Sequence, residues 1–443
     1  MNVLALDIGT STIKAAVLDQ VSGEPLRPPV KVPYPIDRPT PDAAEIQPDA
    51  LWTAVQTAAQ QAVTAFGDAA AISGIGLSCL TPALVLLDAA DQPLTPIWIH
   101  LDRRSRPLAR RMWAAVGEEF LAEVGIRPLP GGMSALCYAH QVEQSPELRD
   151  RVKSYLHVNG WVSLRLTGNR AFDPGNASFS GLFGTMTTRQ WSDRWCELFG
   201  VDRGWLPPVV CGSTTIGELR PEIASAWGLP SGIPVKIGTA DTSSAILAAN
   251  LGPNDMLHSV GTTQVLATLP QRATPDAARL TRMLGVGTGY VYVTHNPVGG
   301  VALDWIHKLS YSDQSADQFY GETIRHALTH ETDVVLDPPF LGGDRLEIEA
   351  RAANFRNLSL GTDRLDLLTA VLQGMRTGHR MAYTALDRGD QPLERVHLTG
   401  GGAEIIRKLL PEYADISISP LEEGALRGIA RLWDSCWSAG SSG

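Results

Sequence analysis

Cysteine is scarce in this sequence. Five residues, Cys79, Cys137, Cys196, Cys211 and Cys436, lie far apart in a chain of 443, and none forms a CxxC pair. That spacing excludes a disulfide-built scaffold and argues against a zinc site, and free thiols in a reducing compartment are the expected state. Long apolar runs are missing too: nothing approaches the roughly 20 residues that cross a bilayer. The N-terminus carries neither the basic region nor the cleavage site of a secretory leader. Charge of one sign never accumulates, since the net charge of −10 is spread along the chain. A nucleic-acid surface needs a basic patch, and there is none. The expectation is a cytoplasmic protein with no membrane and no nucleic-acid partner.

What is present describes an ordinary globular protein, 44% apolar and 19% charged. The length suggests two domains of roughly 200 residues each. The opening LALDIGTSTIKAAVLD reads as two strands, 3–7 and 13–18, joined by a small polar turn. Strands follow at 72–80 and 83–88, and helices at 51–66 and 103–125. The same logic returns later. IPVKIGTADTSSAILAANLG (233–252) is a strand, a small-residue turn with Asp241, and a helix. DMLHSVGTTQVLAT (255–268) is strand, Gly-Thr-Thr turn, strand, and RVHLTGGGAEIIRKLL (395–410) is strand, glycine turn, helix. IGTST against VGTTQ suggests a duplicated unit with a cleft between the halves.

These turns suit a polyphosphate. In IGTST, glycine lets the backbone turn, amides can converge on one anion, and Thr10, Ser11 and Thr12 add hydroxyls, with Lys14 as added charge. Asp7 repels a phosphate directly but can hold a hydrated Mg²⁺ that touches one. Equally, Asp7 can cap an ordinary hairpin. A second hairpin with Gly261, Thr262 and Thr263, and the triple Gly400, Gly401 and Gly402, make the phosphate reading more specific. Asp241, among small residues after a strand, suits a base that receives the proton of an attacking hydroxyl. It also suits a helix N-cap, and the two roles are compatible. His326 and His330, four apart without an intervening glutamate, read as a solvated helix face. The tryptophans, Trp161, Trp191 and Trp195 among them, read as packing anchors, Trp98 and Trp305 included.

Together these stretches resemble the FGGY family of carbohydrate kinases, within the actin/hexokinase/Hsp70-like ATPases, over nearly the whole chain. GIGLSCLTPALVLLDAADQPLTPIWIHLDRRS (74–105) resembles the family's sugar-facing strand pair, LRLTGNRAFDPGNAS (164–178) its LTG…D…AS stretch, and DLLTAVLQG (366–374) its second signature. The resemblance implies an α/β fold of two ribonuclease-H-like (actin-like ATPase) domains with a central cleft. It implies a sugar-binding domain at 1–235, a catalytic and nucleotide-binding domain at 236–437, and a disordered tail at 438–443. It implies an ATP-dependent kinase for a small ketose such as xylulose or sedoheptulose. Asp241 would be the general base and Asp7 would position Mg²⁺. Thr10, Ser11, Thr12, Lys14, Gly261, Thr262, Thr263, Gly400, Gly401 and Gly402 would hold ATP, and Ser78, Cys79, Leu80, Thr81, Asp102 and Arg103 would meet the sugar. The family allows a homodimer. Departures fall on the sugar side. Ser78 to Thr81 replace the Gln-Met-His-Gly of xylulose kinases, and Cys137 and His140 stand where the first signature expects lysine and tryptophan. A non-catalytic nucleotide-dependent switch is therefore the alternative.

Overall fold

The computed structural model describes residues 1–261, 264–342, 346–389, 392–413 and 415–434. The chain divides into two compact units. The first gathers residues 1–250, 272–291 and 423 onward, and the second 251–271 and 292–422. By its contacts the segment 236–250, with Asp241, belongs to the first unit. Tail residues 438–443 lie outside the described residues.

Numbering only the strands of the two main sheets, the first unit holds β1 (Asn2–Ile8), β2 (Thr12–Asp19), β3 (Val30–Pro33), β4 (Ile72–Cys79), β5 (Thr215–Glu218) and β6 (Pro234–Ala240). Their order is β3-β2-β1-β4-β6-β5. The meander β1-β2-β3 is antiparallel, and β4 and β6 continue parallel to β1. β1 is central and covered on both faces. That is why it reads as a continuous apolar run rather than an alternating one, with Val3, Leu4, Ala5 and Leu6 all at 0% exposure. The helix Pro48–Phe66 covers the meander. Proline in its first turn starts it, and Gly67, at φ +83°, ends it in the left-handed conformation. It buries Leu51, Val55, Ala58 and Ala62, and each large apolar side chain so buried contributes about 1.5–3 kcal/mol.

The second unit repeats the plan. Five of the six strands of the second main sheet, β7 (Asp255–Val260), β8 (Gln264–Thr268), β9 (Tyr290–Asn296), β10 (Arg395–Thr399) and β11 (Ser417–Pro420), run in the order β9-β8-β7-β10-β11. Again a meander, β7-β8-β9, is antiparallel and two further strands are parallel to its first. The sequence duplication is thus a duplication of strand order. The helix Arg364–Ala385 begins with a reciprocal cap between Asp363 and Asp366 and buries Leu368, Val371, Leu372 and Met375. Among the described residues, no helix is long and apolar enough to cross a membrane.

Candidate active site

The acid at the head of the chain has its explanation in strand register. Across the first sheet, Lys14 on β2 faces Asp7 on β1, Asp7 faces Ser78 on β4, and Ser78 faces Thr239 on β6. Directly opposed residues share a face of a sheet, so these four form one row. Asp7 is 6% exposed and accepts a hydrogen bond from Ser78 Oγ at 2.9 Å. Burial, reinforced by the charge of Asp241, raises its carboxyl to about 7, against the pull of Ser78 and Lys14. The Lys14 ammonium is itself engaged, 2.5 Å from Glu423, which Lys31 also approaches at 3.2 Å.

β6 reaches this row through a bulge. Its pairing with β4 shifts register between Lys236 and Thr239. Gly238 sits there at φ +71°, and a Cβ on it would lie 1.7 Å from the carbonyl oxygen of Leu77. Only glycine fits, and bulges of this kind re-aim the side chains that follow. Asp241 comes three residues later as the first residue of the helix Asp241–Ala249, with Ala240 in the cap position. Its Oδ1 accepts from the Thr242 backbone N–H at 2.6 Å. Asp241 is half-buried, so its carboxylate keeps access to a ligand while Asp7 beside it is covered.

A buried polar network supports the row. Asp173 is fully buried and accepts from Thr239 Oγ1 at 2.7 Å, Asn159 Nδ2 at 3.0 Å and Asn176 Nδ2 at 2.6 Å. Burial raises it to about 6 despite these donors. Asn176 Oδ1 in turn meets Thr81 Oγ1 and, at 3.1 Å, His157. Burial lowers His157 to about 4, so it is a neutral member of the network at pH 7.

The residues expected on the sugar side take different positions. Ser78 is engaged with Asp7, Cys79 and Leu80 are 0% exposed, and Thr81 is half-buried. Asp102, at 0% exposure, accepts from the Ala44 N–H at 3.0 Å. Its charged partner is Arg104, through Nε at 2.9 Å and Nη2 at 2.7 Å. Arg103 Nη1 instead donates to the carbonyls of His100, Asp102 and Pro130. Arg104 also reaches Glu45 at 2.8 Å and lies 3.4 Å over the Trp98 ring. Trp161, Trp191 and Trp195 are buried packing residues, and Trp305, 38% exposed, stacks on Phe355. Sequence reasoning missed Arg104, one place beyond the quoted pair, and the roles of Asp173 and Asn176, which lay inside a quoted stretch. It also missed Arg282, which no motif marks.

The second unit builds a separate pocket of about 330 Å³. Parallel pairing of β7 with β10, ending at Ser259 opposite Thr399, brings the two glycine turns side by side. Gly400 adopts φ +97°, and a Cβ there would lie 2.2 Å from the Val260 carbonyl oxygen. Gly261, Gly401 and Gly402 line the pocket, with Leu303, Met375 and Ile406 as apolar wall. Backbone-lined turns beside an apolar slot suit a ligand with a flat apolar end and an anionic end. Thr262 and Thr263 lie outside the described residues. Ser11 is exposed at the tip of the β1–β2 turn, with Thr10 and Thr12 half-buried beside it. His330 Nε2 lies 3.0 Å from Asp366 on the neighbouring helix. Among the described residues, no three His, Cys, Asp or Glu side chains gather closely enough to cage a metal.

Known proteins share this arrangement. The model of the FGGY family of carbohydrate kinases, N-terminal domain, matches residues 2–248. An erythritol kinase from Brucella abortus is 28% identical over 380 residues, covering 78% of this chain and 70% of its own. A xylulose kinase from Lactococcus lactis is 25% identical over 411 residues, covering 91% and 80%. A solved structure titled a xyloylose kinase from Brucella ovis superposes with a TM-score of 0.85 at 25% identity, over 98% of this chain and 90% of that one. With the duplicated actin-like strand order, the buried acid row and a family match across the first unit, the chain belongs to the FGGY family of carbohydrate kinases, enzymes that move a phosphoryl group from ATP to a sugar.

Proposed function

We propose that this kinase phosphorylates a hydroxyl of a small ketose of the xylulose or sedoheptulose class, with Asp241 as general base. The observation that carries the reading is Asp241 itself, a half-buried carboxylate held at the end of a glycine-dependent bulge beside the covered acid Asp7. A sugar hydroxyl that attacks the γ-phosphate of ATP loses its proton as the new P–O bond forms. Asp241 takes that proton, and its fixed first helical turn orients it for the transfer. The second unit's pocket takes ATP, with the base against Leu303, Met375 and Ile406 and the phosphates toward Gly261, Gly401 and Gly402. Thr10, Ser11 and Thr12, on the first unit's β1–β2 turn, carry hydroxyls of the kind that bind phosphate.

The residues fit a Mg²⁺ ion carried with ATP. Asp7 and Asp241 are neighbouring acids, and burial leaves Asp7 raised to about 7, a carboxylate short of positive charge. Mg²⁺ characteristically binds one or two carboxylates together with substrate phosphates rather than a full protein cage. Bound there, the ion would neutralise charge that develops on the transferred group. Ser78 fixes the orientation of Asp7 for that task.

The test is a coupled ADP-release assay over a panel of ketoses and polyols, including xylulose, sedoheptulose and erythritol, on wild type and Asp241→Asn. Turnover with one or more of these sugars is expected, and the variant should lose about 10²–10⁴-fold in kcat, the usual worth of a general base, with nucleotide affinity retained. Full turnover by the variant would remove Asp241 from the chemistry. Nucleotide binding without sugar-dependent ADP release in the wild type would favour the regulatory switch.

A further inference from the structure

We propose that Arg282 is a positioning residue for Asp241: its buried guanidinium braces the first turn of the helix that Asp241 begins. Arg282 is 1% exposed, among the largest fully buried side chains of the molecule. Its Nη1 donates to Ser243 Oγ at 2.6 Å and to the Met283 carbonyl at 3.1 Å. Ser243 follows Asp241 by two residues, so the brace grips the same turn. From the other side, Thr239 precedes Asp241 by two residues and is tied to Asp173 at 2.7 Å. Asp241 is therefore the midpoint of a five-residue segment held at both ends by buried polar groups.

A buried arginine is a costly choice for a packing role, because its charge is taken out of water. The Nε of Arg282 is buried with no hydrogen-bond partner among the described residues, which adds to that cost. A methionine or leucine would fill the space against Phe179, whose ring lies 5.6 Å away, without it. The charge has an electrostatic use. Burial lowers the guanidinium to about 10, the fields of Asp241 and Asp173 work in the opposite direction, and it remains a cation at neutral pH. A fixed cation in the field of these two acids offsets part of their negative charge. It also holds the geometry of the base before any substrate arrives.

This inference rests on Asp241 being the base, so the experiment separates the two. Arg282→Met, Arg282→Lys, Ser243→Ala and Asp241→Asn are compared with wild type, using the best acceptor of the panel above. Steady-state constants for acceptor and ATP are measured alongside thermal unfolding. Arg282→Met is expected to lose about 10²-fold in kcat, the scale of a roughly 1 Å misplacement, with both KM values within about twofold of wild type. Arg282→Lys should recover part of the loss. Ser243→Ala, which keeps the charge and removes the bond, should lose kcat by a smaller factor. If Arg282→Met does not fold, Ser243→Ala decides, and an unchanged kcat there overturns the proposal. A folded Arg282→Met with wild-type kcat overturns it too. So does a loss confined to the acceptor KM, which would make Arg282 a substrate contact. Unimpaired Asp241→Asn would instead defeat the base assignment, whatever the Arg282 variants do.

Discussion

Gly238→Ala isolates what the β6 bulge does. The substitution adds one carbon. At φ +71° an alanine meets the left-handed penalty of about 1–2 kcal/mol. Its Cβ would also lie 1.7 Å from the Leu77 carbonyl oxygen, where contacts under 3.0 Å essentially never occur, so strand or carbonyl must give by 3.0 − 1.7 = 1.3 Å. Forcing atoms into a packed core typically costs about 1–3 kcal/mol. The total is roughly 2–5 kcal/mol. Gly67→Ala is the control, since Gly67 has φ +83° with nothing within 4 Å of the carbon that alanine would add. It carries the backbone penalty alone, about 1–2 kcal/mol. Urea unfolding followed by circular dichroism reads the difference. Sugar-dependent ADP release reads its consequence, because the bulge that must move lies three residues before Asp241. A kcat loss of about 10²-fold is expected for Gly238→Ala, and none for Gly67→Ala. Equal stability and equal kcat in the two variants would show that the bulge does not aim Asp241.

Three further expectations concern other parts of the molecule. Gly400→Ala brings a Cβ to 2.2 Å from the Val260 carbonyl at φ +97°, and calorimetric titration should show ATP affinity down by about tenfold or more, an effect of at least ~1.4 kcal/mol; unchanged affinity would remove the glycine turn from the nucleotide site. Arg104→Lys keeps a charge but loses the planar fork that serves Asp102 and Glu45, and denaturant unfolding should report a loss of about 3 kcal/mol, as for one broken buried pair. Without divalent cations, the stability of wild type relative to Asp173→Asn should fall as pH rises from about 4 to about 6. Asp173 is raised to about 6, so in that window the folded wild type holds a proton that its unfolded chain has released, whereas His157, His258 and His379, lowered by burial, pull the other way in both proteins and cancel in the difference. A wild-type advantage that grows over the same window would contradict the assignment.

Much of the fold was legible because its signals are local. The strands at β1, β2, β4 and β6 announce themselves as apolar runs that end in Gly, Ser, Thr or Asp, and the structure places strands there. The glycine turns at 261 and 400–402 are visible as composition, and parallel pairing of β7 with β10 is what brings them into one pocket. What sequence could not supply is the choice between adjacent or distant partners. Arg103 and Arg104 are chemically alike, and only the backbone turn decides that Arg104 faces Asp102 while Arg103 serves carbonyl groups. Arg282 and Ser243 stand 39 residues apart, across a strand pair, so no spacing rule links them. Unit membership was hidden for the same reason. Chain order suggests a cut near residue 235, whereas contacts return residues 272–291 and 423 onward to the first unit.

That return has a consequence for how the molecule is made. The helix Gly424–Gly428 lies against Asp241–Ala249 so closely that a Cβ on Gly428 would sit 1.8 Å from the Ser244 carbonyl, and Trp433 covers Gly74 and Gly76 of β4. During synthesis, the amino-terminal half leaves the ribosome with these surfaces bare until residues 424–433 follow to cover them. A nascent chain stalled before residue 424 is expected to be a sticky, protease-sensitive species, because a distant later segment seals strands made long before it.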